Sequence, residues 1–253
     1  CGFDTTTLPV DGTYTVALRT SGGVAGSLTA KAWTVAAVPA TAVATDGTAS
    51  RTTVATPGQN GVWTFTGTAG RRVLIDLSGG TLDGLKAKVS VLKPDGSVWR
   101  GAQYCGDACF FDTTALPVDG TYSVVFDPQG AAVGSLTAKV WAVPADVTAP
   151  LPVDGTSVAL TTATPGQNGG WTFTAGSGQK AAFAFSAGVG GGSLGAKVWV
   201  LKPDGSVLLS SQYCGTSCGF GSTTLPVAGT YTVVFDPQGA AVGALTAKLT
   251  LTG

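Results

Sequence analysis

Leu116-Pro-Val-Asp-Gly-Thr-Tyr-Ser-Val-Val-Phe126 places a tight turn directly before a strand. Asp119-Gly120 joins a residue that hydrogen-bonds its own backbone to one that tolerates positive φ. After it, Tyr122, Val124 and Phe126 alternate with Ser123 and Val125, the period of two that marks a half-buried strand. Tyr231, Val233 and Phe235 keep the same beat after Ala228-Gly229, and the turn also stands at Asp11-Gly12. One turn-strand unit is therefore written three times.

Working outward, Ala55-Thr-Pro-Gly-Gln-Asn-Gly61 returns at Ala163 to Gly169, an offset of 163 − 55 = 108, and Leu92-Lys-Pro-Asp-Gly-Ser-Val98 returns at Leu201 to Val207, an offset of 201 − 92 = 109. A repeat of this length exceeds a solenoid unit and matches a domain that folds alone. Cys1-Gly-Phe-Asp-Thr-Thr6 aligns with Cys109 to Thr114, so the sequence opens inside a unit and its natural N-terminus is expected upstream. The expected division is residues 1–45 as the C-terminal half of a truncated repeat plus linker, 46–150 as one full repeat and 151–253 as another. Val38-Pro-Ala-Thr-Ala42 and Val143-Pro-Ala-Asp-Val-Thr-Ala-Pro150 read as short, stiff linkers. Aligning Val38 with Val143 gives 143 − 38 = 105 where Asp46 and Asp154 give 108, which makes the second linker about three residues longer.

Within a unit nearly every apolar run has period two. Trp63 and Phe65 alternate with Thr64 and Thr66; Val73, Ile75 and Leu77 alternate with Leu74 and Asp76. Strands are expected to begin near Thr48, Gly61, Arg72, Leu85, Ser97, Cys109, Thr121 and Ser135, about eight per unit, with no helical periodicity. Eight short antiparallel strands around one core give an all-β chain of tandem sandwiches, jelly-roll or immunoglobulin-like.

The order Trp-Thr-Phe-Thr, a glycine turn, an apolar strand, Leu-Lys-Pro-Asp-Gly-Ser-Val, then Leu116 to Phe126 resembles bacterial pre-peptidase C-terminal domains and the repeats that tile large secreted or surface proteins of bacteria. The resemblance implies an exported, non-catalytic β-sandwich module. It carries over no catalytic position.

Composition narrows the chemistry. The chain has no His and no Met, and all 14 acidic residues are Asp, so the commonest general base is missing. Formal charge is zero and only 11% of residues are charged, which favours neither nucleic acid nor an anionic membrane. No apolar run reaches the roughly 20 residues of a membrane-spanning helix. Gly215-Thr-Ser-Cys-Gly219 fits the nucleophile-elbow pattern, but that motif needs a strand-to-helix turn and a His base, and the matching loop carries Ala108 in place of Ser217. No catalytic residue, metal or cofactor is expected.

Five cysteines remain. Cys105 and Cys109, like Cys214 and Cys218, form a C-x-x-x-C in consecutive units, while Cys1 stands at the second position without its mate and its partner is open. A small-loop disulfide in an oxidising compartment competes with half of a metal site, and a His-free chain offers few further ligands. Among the aromatics, Trp63 and Trp171 lie on the core face. Trp33 and Trp141 share the opposite face of the last strand with Lys31 and Lys139, and Thr250 replaces them in the final unit, so they are expected to pack one unit against the next. Trp199, on the face of Lys197 where the other repeat has Ser90, is a candidate glycan contact.

Together these features point to an inert structural segment of a large extracellular bacterial surface protein, a stalk, adhesin shaft or filament. Its expected partners are neighbouring repeats or other copies, with no nucleic acid and no membrane insertion. The alternative is a polysaccharide-binding accessory module of a secreted enzyme.

Overall fold

The computed structural model describes residues 3–23, 25–82, 87–187 and 195–253. It is all-β, with 18 strands in four sheets and no helix among the described residues.

The first sandwich is built from β1 (Thr41–Ala42), β2 (Ser50–Val54), β3 (Gly61–Gly67), β4 (Arg72–Ser78), β5 (Ala87–Leu92), β6 (Val98–Cys105), β7 (Cys109–Ala115), β8 (Gly120–Pro128) and β9 (Gly134–Val143). They form a five-stranded sheet ordered β1-β3-β8-β5-β6 facing a four-stranded sheet ordered β2-β9-β4-β7. The second sandwich repeats this with β10 (Val147–Pro150), β11 (Asp154–Thr162), β12 (Gly169–Ala175), β13 (Lys180–Ala187), β14 (Ala196–Leu201), β15 (Val207–Cys214), β16 (Ser217–Thr224), β17 (Gly229–Pro237) and β18 (Gly243–Thr252). Its sheets run β10-β12-β17-β14-β15 and β11-β18-β13-β16.

The expected strand starts agree with β2–β9 to within two residues, although Leu85 lies outside the described residues. The ninth strand of each unit comes from the segments read as linkers. β1 pairs in parallel with β3, and β10 with β12. Val147 and Ala149 pack against the second core, and Val43 and Leu151 are buried. A Pro-containing stretch can serve as an edge strand because its missing N–H faces away from the ladder.

Alternation fills the cores as the sequence requires. Trp63, Tyr122, Val124 and Phe126 are wholly buried with Ile75, Leu77 and Leu136. Phe65 stacks on Tyr122 with ring centroids 5.4 Å apart, and Phe173 on Tyr231 at 5.3 Å. The Tyr122 hydroxyl, at the end of a buried ring, donates to the Val118 carbonyl (2.8 Å), as Tyr231 does to Val227 (2.6 Å).

Residues 3–40 behave differently, and no described residue among them is in a strand. Leu8, Val16, Leu18 and Leu28 are 58–75% exposed, whereas their equivalents Leu116, Val124, Phe126 and Leu136 are at most 2% exposed. In each sandwich the equivalent segments pair with strands from the first half of the unit. The turn survives without the sheet, since the Tyr14 hydroxyl still donates to the Val10 carbonyl (2.6 Å).

Cys105 is bonded to Cys109 (S–S 2.09 Å) and Cys214 to Cys218 (2.11 Å). Each bridge spans the step from β6 to β7, or β15 to β16, where the chain leaves one sheet and enters the other. A side-chain amide reinforces the step, from Gln103 to the Phe110 carbonyl and from Gln212 to the Gly219 carbonyl, both 2.9 Å. Cys1 lies outside the described residues. Replacing Cys214 and Cys218 together by Ser is expected to lower the second sandwich's unfolding free energy by about 2 kcal/mol and leave the first sandwich's calorimetric transition in place.

Candidate interaction site at the joint between units

The repeated turn Ala-Thr-Pro-Gly-Gln-Asn-Gly is where the units meet. In the second sandwich Gln167 N–H donates to the Thr164 carbonyl (2.9 Å) and closes a turn that needs positive φ at Gly166, which has +79°. The Gln167 side chain braces it by accepting from Ala163 N–H (3.1 Å). Pro165, Gly166 and Gln167 are all buried, although they form a loop tip. The first sandwich covers them.

That cover is specific. The Thr113 hydroxyl donates to the Gly166 carbonyl (2.7 Å). Leu74 and Val143 lie directly beneath Gly166, so that a Cβ there would press on the Leu74 Cβ at 2.9 Å and the Val143 Cγ2 at 3.1 Å. Phe110 lies against Gly239 of the neighbouring loop. Leu74 is wholly buried without belonging to its own unit's core cluster. From alternation it belongs to the outer face, and its burial is the work of the following unit.

Only Pro144, Ala145 and Asp146 lie between β9 and β10, and each is held. Arg72 donates to the Pro144 carbonyl. The Gln167 side-chain amide donates to the Ala145 carbonyl (2.8 Å). The Asp146 carboxylate pairs with Arg72 (2.7 Å) and accepts from Asn168 N–H (3.3 Å). With two carbonyls and the carboxylate of the connection engaged, the three residues are tied to both sandwiches.

The preceding joint repeats the plan. Thr5 donates to the Gly58 carbonyl, Gln59 donates to the Ala36 carbonyl (3.1 Å), and Val35 lies by Gly58, whose φ is +82°. The Thr-to-Gly separation is 53 residues in both joints. In the strand ladders Thr41 faces Trp63 as Ala149 faces Trp171, and 149 − 41 = 108. The two connections are thus equal in length, contrary to the three-residue difference expected from matching the Val-Pro pairs. Pairing register places Val38 opposite Asp146 in the repeat, so the Val-Pro match is coincidental.

The tryptophans expected between units lie elsewhere. Trp141 does face away from the core, but its ring covers Gly47 of its own unit, where Gly47 N–H donates to the Val140 carbonyl (2.9 Å) and Ala142 N–H to the Thr45 carbonyl (2.7 Å). Trp33 is 47% exposed. Trp199 lines a shallow groove with Lys197, Val207, Ser210, Ser211 and Asp236. The first sandwich has Ser90, Gly101 and Ala102 at the equivalents of Trp199, Ser210 and Ser211. Among the described residues no group of three Cys or Asp side chains could hold a metal ion.

Asp236 belongs to this groove and also faces the joint. Burial, then the charge of Asp112 across the joint, push its carboxyl up to about 6, with Asp146 adding to the effect and the Gln238 amide (2.8 Å) and Lys197 opposing it. Asp127 is raised for the same reasons, burial first and then Asp4, the equivalent of Asp112. Four turn carboxylates, Asp46, Asp95, Asp154 and Asp204, are instead held low by hydrogen bonds from the residue two positions on.

No protein-family profile and no curated protein matches the chain. Solved structures to which it is similar include a periplasmic inhibitor of g-type lysozyme from Aeromonas hydrophila, at 15% identity over 43% of this chain and all of that one, TM-score 0.32. They also include the pre-peptidase C-terminal domain of a collagenase from Bacillus anthracis, at 13% identity over 40% of this chain and 94% of that one, TM-score 0.32. Such distant likenesses assign no activity to the chain.

A folded-state carboxyl near 6 against 3.8 for the free group binds its proton more tightly in the folded protein, so its contribution to stability falls as pH rises from about 4 to above 6. Asp236→Asn keeps an oxygen for Gln238 and removes the charge. The variant is expected to match the parent near pH 4 and to exceed it by up to about 3 kcal/mol at pH 7.5, read as the difference between their denaturation curves for the second sandwich.

Proposed function

We propose that the chain is a rigid, non-catalytic segment of a large extracellular protein, a shaft in which β-sandwiches are locked end to end. The joint carries this reading: the turn, threonine and valine contacts occur twice at one spacing, and in both joints the turn's glutamine donates to a carbonyl of the connection. A flexible string of independent domains needs only a tether, whereas here the connection is itself a strand of the next sheet. Disulfides at the sheet crossings suit an oxidising compartment. The absence of His and Glu fits a surface that does no proton-transfer chemistry.

The bacterial surface setting, and a role as adhesin shaft or filament, extend the same reading. A second reading, a polysaccharide-binding module, rests on the groove at Trp199, where an indole face sits beside Lys197, Ser210, Ser211 and Asp236. It is the weaker reading because the other sandwich lacks the indole.

Small-angle scattering of the whole chain tests the shaft. One elongated particle of fixed maximum dimension is expected for the parent. Gly166→Val places a β-branched side chain at φ +79° against Leu74 and Val143 and is expected to broaden the distance distribution while both calorimetric transitions persist. A parent as flexible as the variant sinks the shaft reading. Micromolar glycan binding abolished by Trp199→Ala would install the binding-module reading.

A further inference from the structure

The face that receives the turn can be followed through the repeats. It comprises Arg72, Leu74, Phe110, Asp112, Thr113 and Val143. Where the first sandwich follows residues 3–40, the equivalents of Arg72 and Leu74 lie outside the given sequence, Gly2 stands at the place of Phe110, and the other three are retained as Asp4, Thr5 and Val35. In the second sandwich all six change. Strand pairing and the repeat register align them with Lys180, Ala182, Gly219, Gly221, Ser222 and Thr252.

The direction of these changes matters more than their number. Leu74→Ala182 and Val143→Thr252 remove the apolar floor beneath the turn. Phe110→Gly219 removes the ring that meets the neighbouring loop. Arg72→Lys180 exchanges a planar guanidinium, which here holds a carbonyl and a carboxylate together, for a single ammonium that cannot fork in that way. Gly219, Gly221, Ser222 and Thr252 are exposed. Meanwhile the core beneath is kept residue for residue at Trp171, Phe173, Tyr231, Val233 and Phe235, as are Cys214 and Cys218.

We infer that Leu74, Thr113 and Val143, which meet the Thr-Pro-Gly-Gln-Asn-Gly turn of a following repeat, together with Phe110 against its Gly239 loop and Arg72 on the connection, form a recognition surface for that repeat, and that the second sandwich, lacking this surface, terminates the run of rigidly joined units. The inference rests on the shaft reading and adds polarity to it. Rigid joining proceeds from the β4-β7-β9 face of one unit to the turn of the next, a heterologous contact that repeats only while the receiving face is present. A unit with an altered outer face is what stops a run of rigidly joined units in a linear array. It follows that end-to-end polymerisation through this face is closed to the second sandwich.

The test extends the full chain by a second copy of residues 145–253 placed directly after Gly253, which reproduces the native connection because Thr252 and Gly253 stand where Val143 and Pro144 do. Amide spin relaxation is expected to show the two native sandwiches sharing one rotational diffusion while the added sandwich reorients independently. A second extended chain carries Lys180→Arg, Ala182→Leu, Gly219→Phe, Gly221→Asp, Ser222→Thr and Thr252→Val, and its added sandwich is expected to join the shared tumbling. A rigid native joint accompanied by an equally rigid added joint on the unaltered face overturns this inference alone. A loose joint in the unextended chain overturns the shaft reading with it. If the grafted chain fails to fold, the reverse exchange decides: Leu74→Ala with Phe110→Gly and Val143→Thr in the unextended chain must free the two native sandwiches from common tumbling, and shared tumbling in that variant rejects the recognition surface.

Discussion

A β-strand has almost no stability of its own and is held by the strands beside it. Leu8 to Leu18 and Leu116 to Phe126 carry nearly the same residues, yet the second contributes the central strand β8, paired with β3 and β5, while the first forms no strand. Fixing each residue in an extended conformation costs roughly 1–2 kcal/mol. Ladder bonds on both sides and burial of Tyr122, Val124 and Phe126 offset that cost. The tyrosine-to-carbonyl bond at Val10 and Val118 forms in both copies because its partners lie four residues apart. Turn chemistry is local, whereas the sheet is a collective property of a whole unit.

The joint obeys the same requirement that buried backbone groups find partners. A turn pressed onto a neighbouring domain leaves its outward carbonyl without water, and Thr113 answers it. The connection between the sandwiches leaves two more carbonyls, and Arg72 and Gln167 answer those. Gln167 works in both directions at once: its oxygen accepts from its own turn and its nitrogen donates to the connection. The side chain that shapes the turn therefore also fixes where the turn sits. Glycine at position 166 is demanded twice, by positive φ and by the lack of space above Leu74. A turn that could serve any hairpin becomes here the meeting point of two domains.

Much of the fold was readable because it depends on periodicity. Trp63, Phe65, Tyr122 and Phe126 fell on the inward beat, and Pro94-Asp95-Gly96 and Asp119-Gly120 marked the turns between strands. The strands β1 and β10 were hidden because their Pro, Ala and Thr content resembles a linker, and an edge strand of two to four residues has too little alternation to reveal itself. Leu74 was hidden for the opposite reason: alternation assigned it outward correctly, and nothing in its own unit says what covers it. A signal was present in the comparison of repeats, since Leu74 and Phe110 lose their side-chain bulk and Val143 exchanges a methyl for a hydroxyl in the last unit. At Trp141 the same comparison finds Thr250, and these two residues pair with the equivalent Asp46 and Asp154 inside their own units.

The carboxylates at the joint separate geometry from electrostatics. Asp112, Asp146 and Asp236 converge there with Arg72 and Lys197 as the opposing charges, and only Asp146 has a close ion pair. Such a grouping opposes contact at neutral pH, yet Asp4 bears on Asp127 in the same way one repeat earlier. Beside the Arg72 contacts to Pro144 and Asp146, the attachment rests on neutral contacts, the threonine and glutamine hydrogen bonds and the leucine–valine floor, which act regardless of charge. Neutral contacts of this kind also vary little with salt, whereas ion pairs at a surface are screened within about 10 Å at 0.1 M ionic strength. A joint held by them keeps its angle across environments of different salinity, and the carboxylates are left to weaken or strengthen it as they lose or gain protons.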